Sequence, residues 1–393
     1  MKNESQGIIN LWNRFWFSEE PKDILCLLRI FFGIIFLMKL TGCTGFMTNM
    51  HVELSIPQHT FSSDYVYRLS GFVQSVPGFG WLPLPSYKTY LLIEDIVFVL
   101  ALFFTSGLFA TYTGPLLAML YGYLFVLDQM GYHHHTFLFV IVLFILGFSN
   151  CSSRYSLDSY LHGGTFGKVK GIAMPRRMLQ ILVSAIYFFG ALSKINPGWL
   201  SGDIIRVLGM SGALHGPLGH FIMKSQFYLP LSVSTPILEF FLAIALWFDK
   251  TVRIAVLCGV LFHLVIDMTI NVSTFSFQMI ALYTVFAYPG TKSTTIFIDP
   301  GKVKQAVLIR FLLLFDWLRR FGTVVMKGGT PAAIPEVYTK SGILVRKRGG
   351  DILTGIDAFS CVLGMLPLFF PFAWLIKIFS SVRRNISRDH NPA

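Results

Sequence analysis

Runs of ~20 largely apolar residues, the length a helix needs to cross ~30 Å of hydrocarbon, recur along this chain and decide what it can fold into. Of its 393 residues 54% are hydrophobic and only 13% charged, against about 25% charged in soluble domains. Lipid is therefore the expected solvent, and the fold class read from the sequence is an all-α integral membrane bundle. Spanning helices are expected at 24–43, 90–109, 112–129, 134–150, 178–195, 234–249, 253–271 and 274–289, about eight in all. An even number puts both ends of the bundle on one side.

Charge placement tests that count independently, because cytoplasmic loops carry the excess of Lys and Arg. With a cytoplasmic N-terminus, the 151–177 loop lies inside and carries Arg154, Lys168, Lys170, Arg176 and Arg177. The 249–253 turn, also inside, carries Lys250 and Arg253, whereas the outer 44–89 loop holds only Arg68 and Lys88. The expected location is the cell membrane, multi-pass, with both termini cytoplasmic. The excess of 32 Lys and Arg over 20 Asp and Glu is thus a membrane-topology signal and does not point to nucleic acid.

Five cysteines are scattered without a C-x-x-C pair or zinc-ligand spacing, so neither a disulfide framework nor a metal site is expected. Trp12, Arg14 and Trp16, followed by Glu19, Glu20 and Lys22, read as an amphipathic lead-in lying at the interface, not a cleaved signal peptide. The aromatic, Pro- and Gly-rich 44–89 loop and the Gly- and His-containing 196–233 loop are expected to roof a cavity from outside. After residue 290 charges become frequent. The expected division is a transmembrane domain over 1–295 and a small cytoplasmic or interfacial region over 296–393, with 357–379 as a helix pair at the inner interface.

Ionisable groups inside a membrane cost ~2.5–3.5 kcal/mol each at its centre on insertion scales, so they generally face a bundle interior or a cavity. Under this topology Glu94 and Asp95, Asp128, His133 to His135, Lys194, Glu239, His263 and Asp267 all fall in the middle or outer part of the membrane. His263 and Asp267, four residues apart, share a helix face. Each has a plainer reading beside the functional one. Lys194 also reads as a lysine snorkelling from a helix end with Trp199 as a belt aromatic, the three histidines as an interfacial cluster, and Glu239 or Asp267 as the neutraliser of a buried cation. Arg29 reads as a structural pairing group.

The stretch Tyr187-Phe188-Phe189-Gly190-Ala191-Leu192-Ser193-Lys194-Ile195-Asn196-Pro197-Gly198-Trp199 resembles the signature of the vitamin K-dependent gamma-carboxylase family, also called the horizontally transferred transmembrane (HTTM) domain. His135-Thr136-Phe137 leading to Ser156-Leu157-Asp158, Phe262-His263 before Phe275-Ser276-Phe277-Gln278-Met279, and Arg29 to Gly33 also fit it in order. The likeness covers roughly residues 10 to 290. It implies Lys194 as a base acting on reduced vitamin K or another quinol, with O2 and CO2 as co-substrates. It also implies His135 and His263 as catalytic groups that orient the quinol oxygens, and Tyr187, Trp199, Asp267 and Glu239 are the substrate-binding residues expected with them. Desolvation in a dry pocket disfavours a charged ammonium, which suits a lysine to general-base work.

Nothing after residue 290 resembles the family's large luminal domain. Residues 337–388 are faintly similar to the C-terminal half of the thioredoxin-like DCC family, through Gly355, Asp357, Ala358, Arg384 and Asn385, without its Cys-x-x-Cys. Two functions follow as expectations: a quinol-dependent carboxylase- or epoxidase-like membrane enzyme, or a non-catalytic membrane accessory for maturation, export or immunity of a secreted peptide. The partners expected are the lipid bilayer, a lipid-soluble quinone-like ligand and a secreted peptide or protein.

Overall fold

The computed structural model describes residues 2–41, 75–127, 133–270, 272–287, 294–298, 303–316, 321–325, 343–347, 349–369, 371–373 and 375–376. Most of the expected outer loop, together with Asp128, Arg384 and Asn385, lies outside these. The chain is mostly helical and divides into two compact units, one of residues 1–244 and 259–285, the other of 245–258 and 286–393.

The first unit opens with helix α1 (Lys2–Phe17) and strand β1 (Glu19–Pro21), followed by α2 (Asp23–Leu40), α3 (Tyr87–Ser106), α4 (Ala110–Val126) and α5 (His134–Gly147). A short helix α6 (Leu157–Leu161) and strand β2 (Lys170–Ile172) lead into α7 (Met174–Ser193). Three short helices, α8 (Pro197–Leu200), α9 (Asp203–Met210) and α10 (Gly216–Lys224), separate α7 from α11 (Tyr228–Ala245), α12 (Val252–Thr269) and α13 (Phe275–Leu282). Every apolar segment expected to span thus contains a helix. Among the described residues Lys88–Ser106, Tyr228–Ala245 and Val252–Thr269 are long and apolar enough to cross a membrane. Helix α2 is as long as the latter two but carries Asp23, Arg29 and Lys39, and α5 has only 14 residues.

Helices α2, α4 and α5 meet through edge-on aromatic contacts, with Phe32 and Phe139 centroids 5.2 Å apart and Phe36 and Tyr121 centroids 4.7 Å apart. Close approach of α4 and α5 depends on paired glycines, the small-residue device by which membrane helices gain packing contact. A Cβ on Gly114 would lie 2.6 Å from Gly147 Cα, and one on Gly147 would lie 2.6 Å from Pro115 N.

Arginine side chains knot the unit at the end where α7 begins. Strands β1 and β2 pair antiparallel, and Arg176 donates from Nε and Nη2 to both carboxylate oxygens of Glu20, at 2.6 and 2.5 Å. Its Nη1 and the Gln180 amide both donate to the Val285 carbonyl. Fully buried Arg29 donates to the carbonyls of Cys151 and Tyr155, a structural role that holds the 151–156 turn against α2. Helix α7 has 20 residues, or about 30 Å at 1.5 Å per residue. Its last turn therefore lies far from this knot.

The second unit departs from the all-α expectation. Strands β3 (Thr294–Ile298), β4 (Phe321–Val325), β5 (Leu344–Lys347) and β6 (Ile352–Thr354) form a sheet in the order β4-β3-β5-β6, with β3 parallel to β4 and antiparallel to β5. Helices α14 (Val303–Leu313) and α15 (Gly355–Met365) complete it. Ala358, Val362 and Leu363 of α15 share one core with Ile296 and Val345. The apolar run from 357 therefore covers a sheet, where the sequence suggested a helix pair at the membrane interface. Strands of three to five residues are too short to show the alternation that identifies them.

Substituting Gly147 by Leu is expected to cost ~1–3 kcal/mol through overpacking against α4. Thermal unfolding in detergent checks this: Gly147→Leu should melt well below wild type, whereas Gly7→Ala, which meets nothing within 4 Å, should not.

Candidate functional site

The last turn of α7 leaves carbonyls without intrahelical partners, and side chains take them up. The Gly190 carbonyl accepts from Ser193 Oγ at 2.7 Å and from Lys194 Nζ at 3.0 Å. Lys194 Nζ also donates to both carboxylate oxygens of Glu239 on α11, each at 2.9 Å. An ammonium has three N–H donors. All three are thereby used. A Cβ at Gly190 would meet Glu239 Oε1 at 3.4 Å, an ordinary van der Waals distance, so Glu239 packs directly over this turn. The side chains of Lys194 and Glu239 are only 20% and 10% exposed, so the pair is largely removed from solvent.

Pro236 lies within α11 three residues before Glu239. A proline inside a helix has no N–H for the carbonyl four residues earlier, which here belongs to Ser232. The indole Nε1–H of Trp199 donates to that freed carbonyl at 2.8 Å. This bond fixes the ring with its centroid 5.4 Å from Lys194 Nζ, within cation–π range. The Asn196 side chain accepts from Trp199 N at 2.9 Å and sets the turn that carries the indole back toward α11.

One turn and more before Lys194, Tyr187 points into the bundle. Its hydroxyl lies 2.7 Å from His263 Nε2 on α12 and makes a short hydrogen bond with the Tyr283 hydroxyl. Tyr187, His263 and Tyr283 are at most 2% exposed. A side chain on Gly259 would collide with the Tyr283 hydroxyl, so a glycine lets that tyrosine reach the pair. His263 Nδ1 is buried and has no partner among the described residues. Whichever way the protons run along the tyrosines, one imidazole nitrogen stays unpaired among the described residues.

Lys194, Glu239, Trp199, Tyr187 and His263 line one cavity of about 290 Å3 between α7, α11, α12 and the α8–α10 segment. Its walls are mostly apolar, including Ile186, Ile205, Leu214, Phe262, Ile266 and Phe275. The α8–α10 segment has a small core of its own in Ile205, Leu214 and Ile222. It is tied to the end of α12 by the Leu214–Ile270 bridge and by His215 N donating to the Thr269 carbonyl at 2.9 Å. The 196–233 loop thus walls the cavity, while most of the other expected roof lies outside the described residues.

Five of the residues singled out in the sequence, Lys194, Glu239, Tyr187, Trp199 and His263, stand around this cavity. Asp267 is buried one turn beyond His263 but is not part of the lining, and neither is His135. His135 Nε2 instead lies 3.4 Å from Lys39 Nζ of α2. Glu94 is buried on α3 and Asp95 is exposed. Among the described residues no group of His, Cys, Asp or Glu is arranged to hold a metal ion. Tyr283, Pro236 and Gly190 went unmarked in the sequence. Only Pro236 carried a usable signal, as a helix breaker just ahead of an intramembrane carboxylate.

Fold and site together define a mostly helical membrane protein with a mostly apolar cavity beside the C-terminal half of α7. The family model of the HTTM domain matches residues 17–290, and the chain belongs to that family. No solved structure matches it.

Replacing Tyr187 by Phe removes the hydroxyl shared by His263 and Tyr283 and leaves buried polar atoms unpaired, at an expected cost of ~1–3 kcal/mol. Its melting temperature should fall below that of wild type. Tyr112→Phe, at a position 77% exposed, should leave it unchanged.

Proposed function

We propose that this chain is a multi-pass enzyme of the cell membrane that takes a lipid-soluble quinol, with Lys194 and Glu239 as its proton-accepting pair. The observation that carries this reading is the lysine–carboxylate contact on the wall of a mostly apolar cavity that is also lined by a buried histidine with an unpartnered nitrogen. About eight helices would span the membrane with both termini cytoplasmic. The placement of Arg176 and Arg177 at the start of α7 and Lys194 at its end supports that orientation.

The cavity fits a quinol on three counts. Its walls are mostly apolar, its volume is at the lower edge of the ~300–1,000 Å3 of small-molecule sites, and His263, whose buried Nδ1 has no partner among the described residues, is one of its lining residues. Lys194, His263, Tyr187 and Trp199 would hold the molecule. Once bound, a quinol supplies the reducing power for the oxygen-dependent chemistry that the family resemblance implies.

The chain's own part is proton handling. As an ammonium with every donor occupied, Lys194 has no lone pair to offer. Passing one proton along a 2.9 Å contact to Glu239 leaves a neutral amine beside a neutral carboxylic acid. In that form Lys194 Nζ can accept a hydroxyl proton from within the cavity. His263, held by Tyr187, orients the opposite side of the ligand, and the apolar walls exclude water that would otherwise compete for the proton. His135 and Asp267 would act from outside the cavity.

The second reading, a non-catalytic membrane accessory for a secreted peptide, draws on the same saturated ammonium. An ion pair with every lysine donor occupied also serves as a structural lock between α7 and α11.

Purified protein given reduced vitamin K, oxygen and bicarbonate separates the two. The enzyme reading expects epoxide formation, reduced at least ~100-fold in Lys194→Met, with folding verified by thermal melting. Absence of epoxide from folded wild-type protein supports the accessory reading.

A further inference from the structure

The cavity's charge balance sets which ligands it admits. Among its lining residues the ionised groups are Lys194 and Glu239, and they neutralise each other at 2.9 Å. A long-chain carboxylate is the commonest anionic amphiphile that an apolar cavity in a membrane would meet. It would find no free ammonium donor, because two are spent on Glu239 and the third on the Gly190 carbonyl. It would also face the like charge of Glu239 at low dielectric, where repulsion between carboxylates is strongest. An uncharged hydroxyl meets neither obstacle, and His263, whose Nδ1 has no partner among the described residues, lines the same cavity.

We infer that Glu239 is the specificity-determining residue that reserves this cavity for uncharged, hydroxyl-bearing amphiphiles, and that removing its charge converts the cavity into a receptor for long-chain carboxylates. The inference rests on the reading of the cavity as a ligand site but not on catalysis. With Gln at 239 the lysine keeps its charge, gains a free donor and lacks a counter-ion. A buried charge left unpaired is costly, and a fatty carboxylate supplies the missing partner with its chain along the apolar wall. Removing the lysine instead reverses the preference: Lys194→Met leaves an unpaired carboxylate that a long-chain ammonium would neutralise.

Trp199 reports on the site, since it lines the cavity with its ring centroid 5.4 Å from Lys194 Nζ. The full chain in zwitterionic lipid nanodiscs would be titrated with dibromostearate, dibromostearyl alcohol and dibromostearyl amine, whose bromines quench nearby indoles. Subtracting the quenching of Trp199→Phe in each background isolates Trp199. In wild type the alcohol should quench Trp199 at lower concentration than the carboxylate. Glu239→Gln should lower the half-quenching concentration of the carboxylate by at least about tenfold, as one charge-assisted hydrogen bond allows. The double variant Lys194→Met/Glu239→Gln should lose that gain, and Lys194→Met alone should favour the amine. Should Glu239→Gln not fold, the response of Lys194→Met to the amine decides alone.

Equal quenching of wild type by carboxylate and alcohol overturns the inference. An unchanged preference in folded variants does the same while leaving the cavity a ligand site. Failure of every probe to quench Trp199 in any background overturns both the inference and the reading of the cavity beneath it.

Discussion

A lysine and a glutamate that share their charges in a mostly apolar setting decide how the far end of this molecule is built. Lys194 ends one helix and Glu239 sits inside another, and neither is tolerable in a low dielectric without the other. Their contact joins α7 to α11, and the bond of Trp199 to the Ser232 carbonyl sets the indole beside it. The side chains remain 20% and 10% exposed, enough for a ligand to reach them from the cavity. The pair is thus a structural bond between α7 and α11 that also forms part of the cavity wall.

Around it the site is assembled from backbone groups that regular helices would have consumed. The end of α7 frees the Gly190 carbonyl for Lys194, and Pro236 frees the Ser232 carbonyl for Trp199. Glycine at 259 makes room for Tyr283. The opposite end is fixed by arginines on Glu20 and on the carbonyls of 151, 155 and 285. With one end pinned, the short helices between α7 and α11 can close over the cavity without carrying the fold.

The helices were legible in the sequence because membrane solvent demands long apolar runs, and each expected run contains one. The charged residues of the site were legible for the same reason: Lys194, Glu239 and His263 stand out where charge is expensive. Tyr283 was not, because in a chain that is 16% aromatic a buried tyrosine looks like any other packing residue. Nor was the separation of His135 from the cavity, since sequence position gives depth along a helix but not which neighbours its face meets. His135 faces Lys39, on a helix distant in sequence. The second unit's sheet was illegible for a further reason. Its strands are short, and the pairing of Thr294–Ile298 with both Phe321–Val325 and Leu344–Lys347 is set by non-local contacts.

Lys194 faces inward onto Glu239 at the wall of a cavity shared with His263. A cryo-electron microscopy map of the full chain in lipid nanodiscs would test this arrangement. Continuous side-chain density between Lys194 and Glu239 is expected, with His263 against Tyr187 on the same cavity. A Lys194 side chain turned outward to the lipid headgroups, with Glu239 bonded elsewhere, would contradict it.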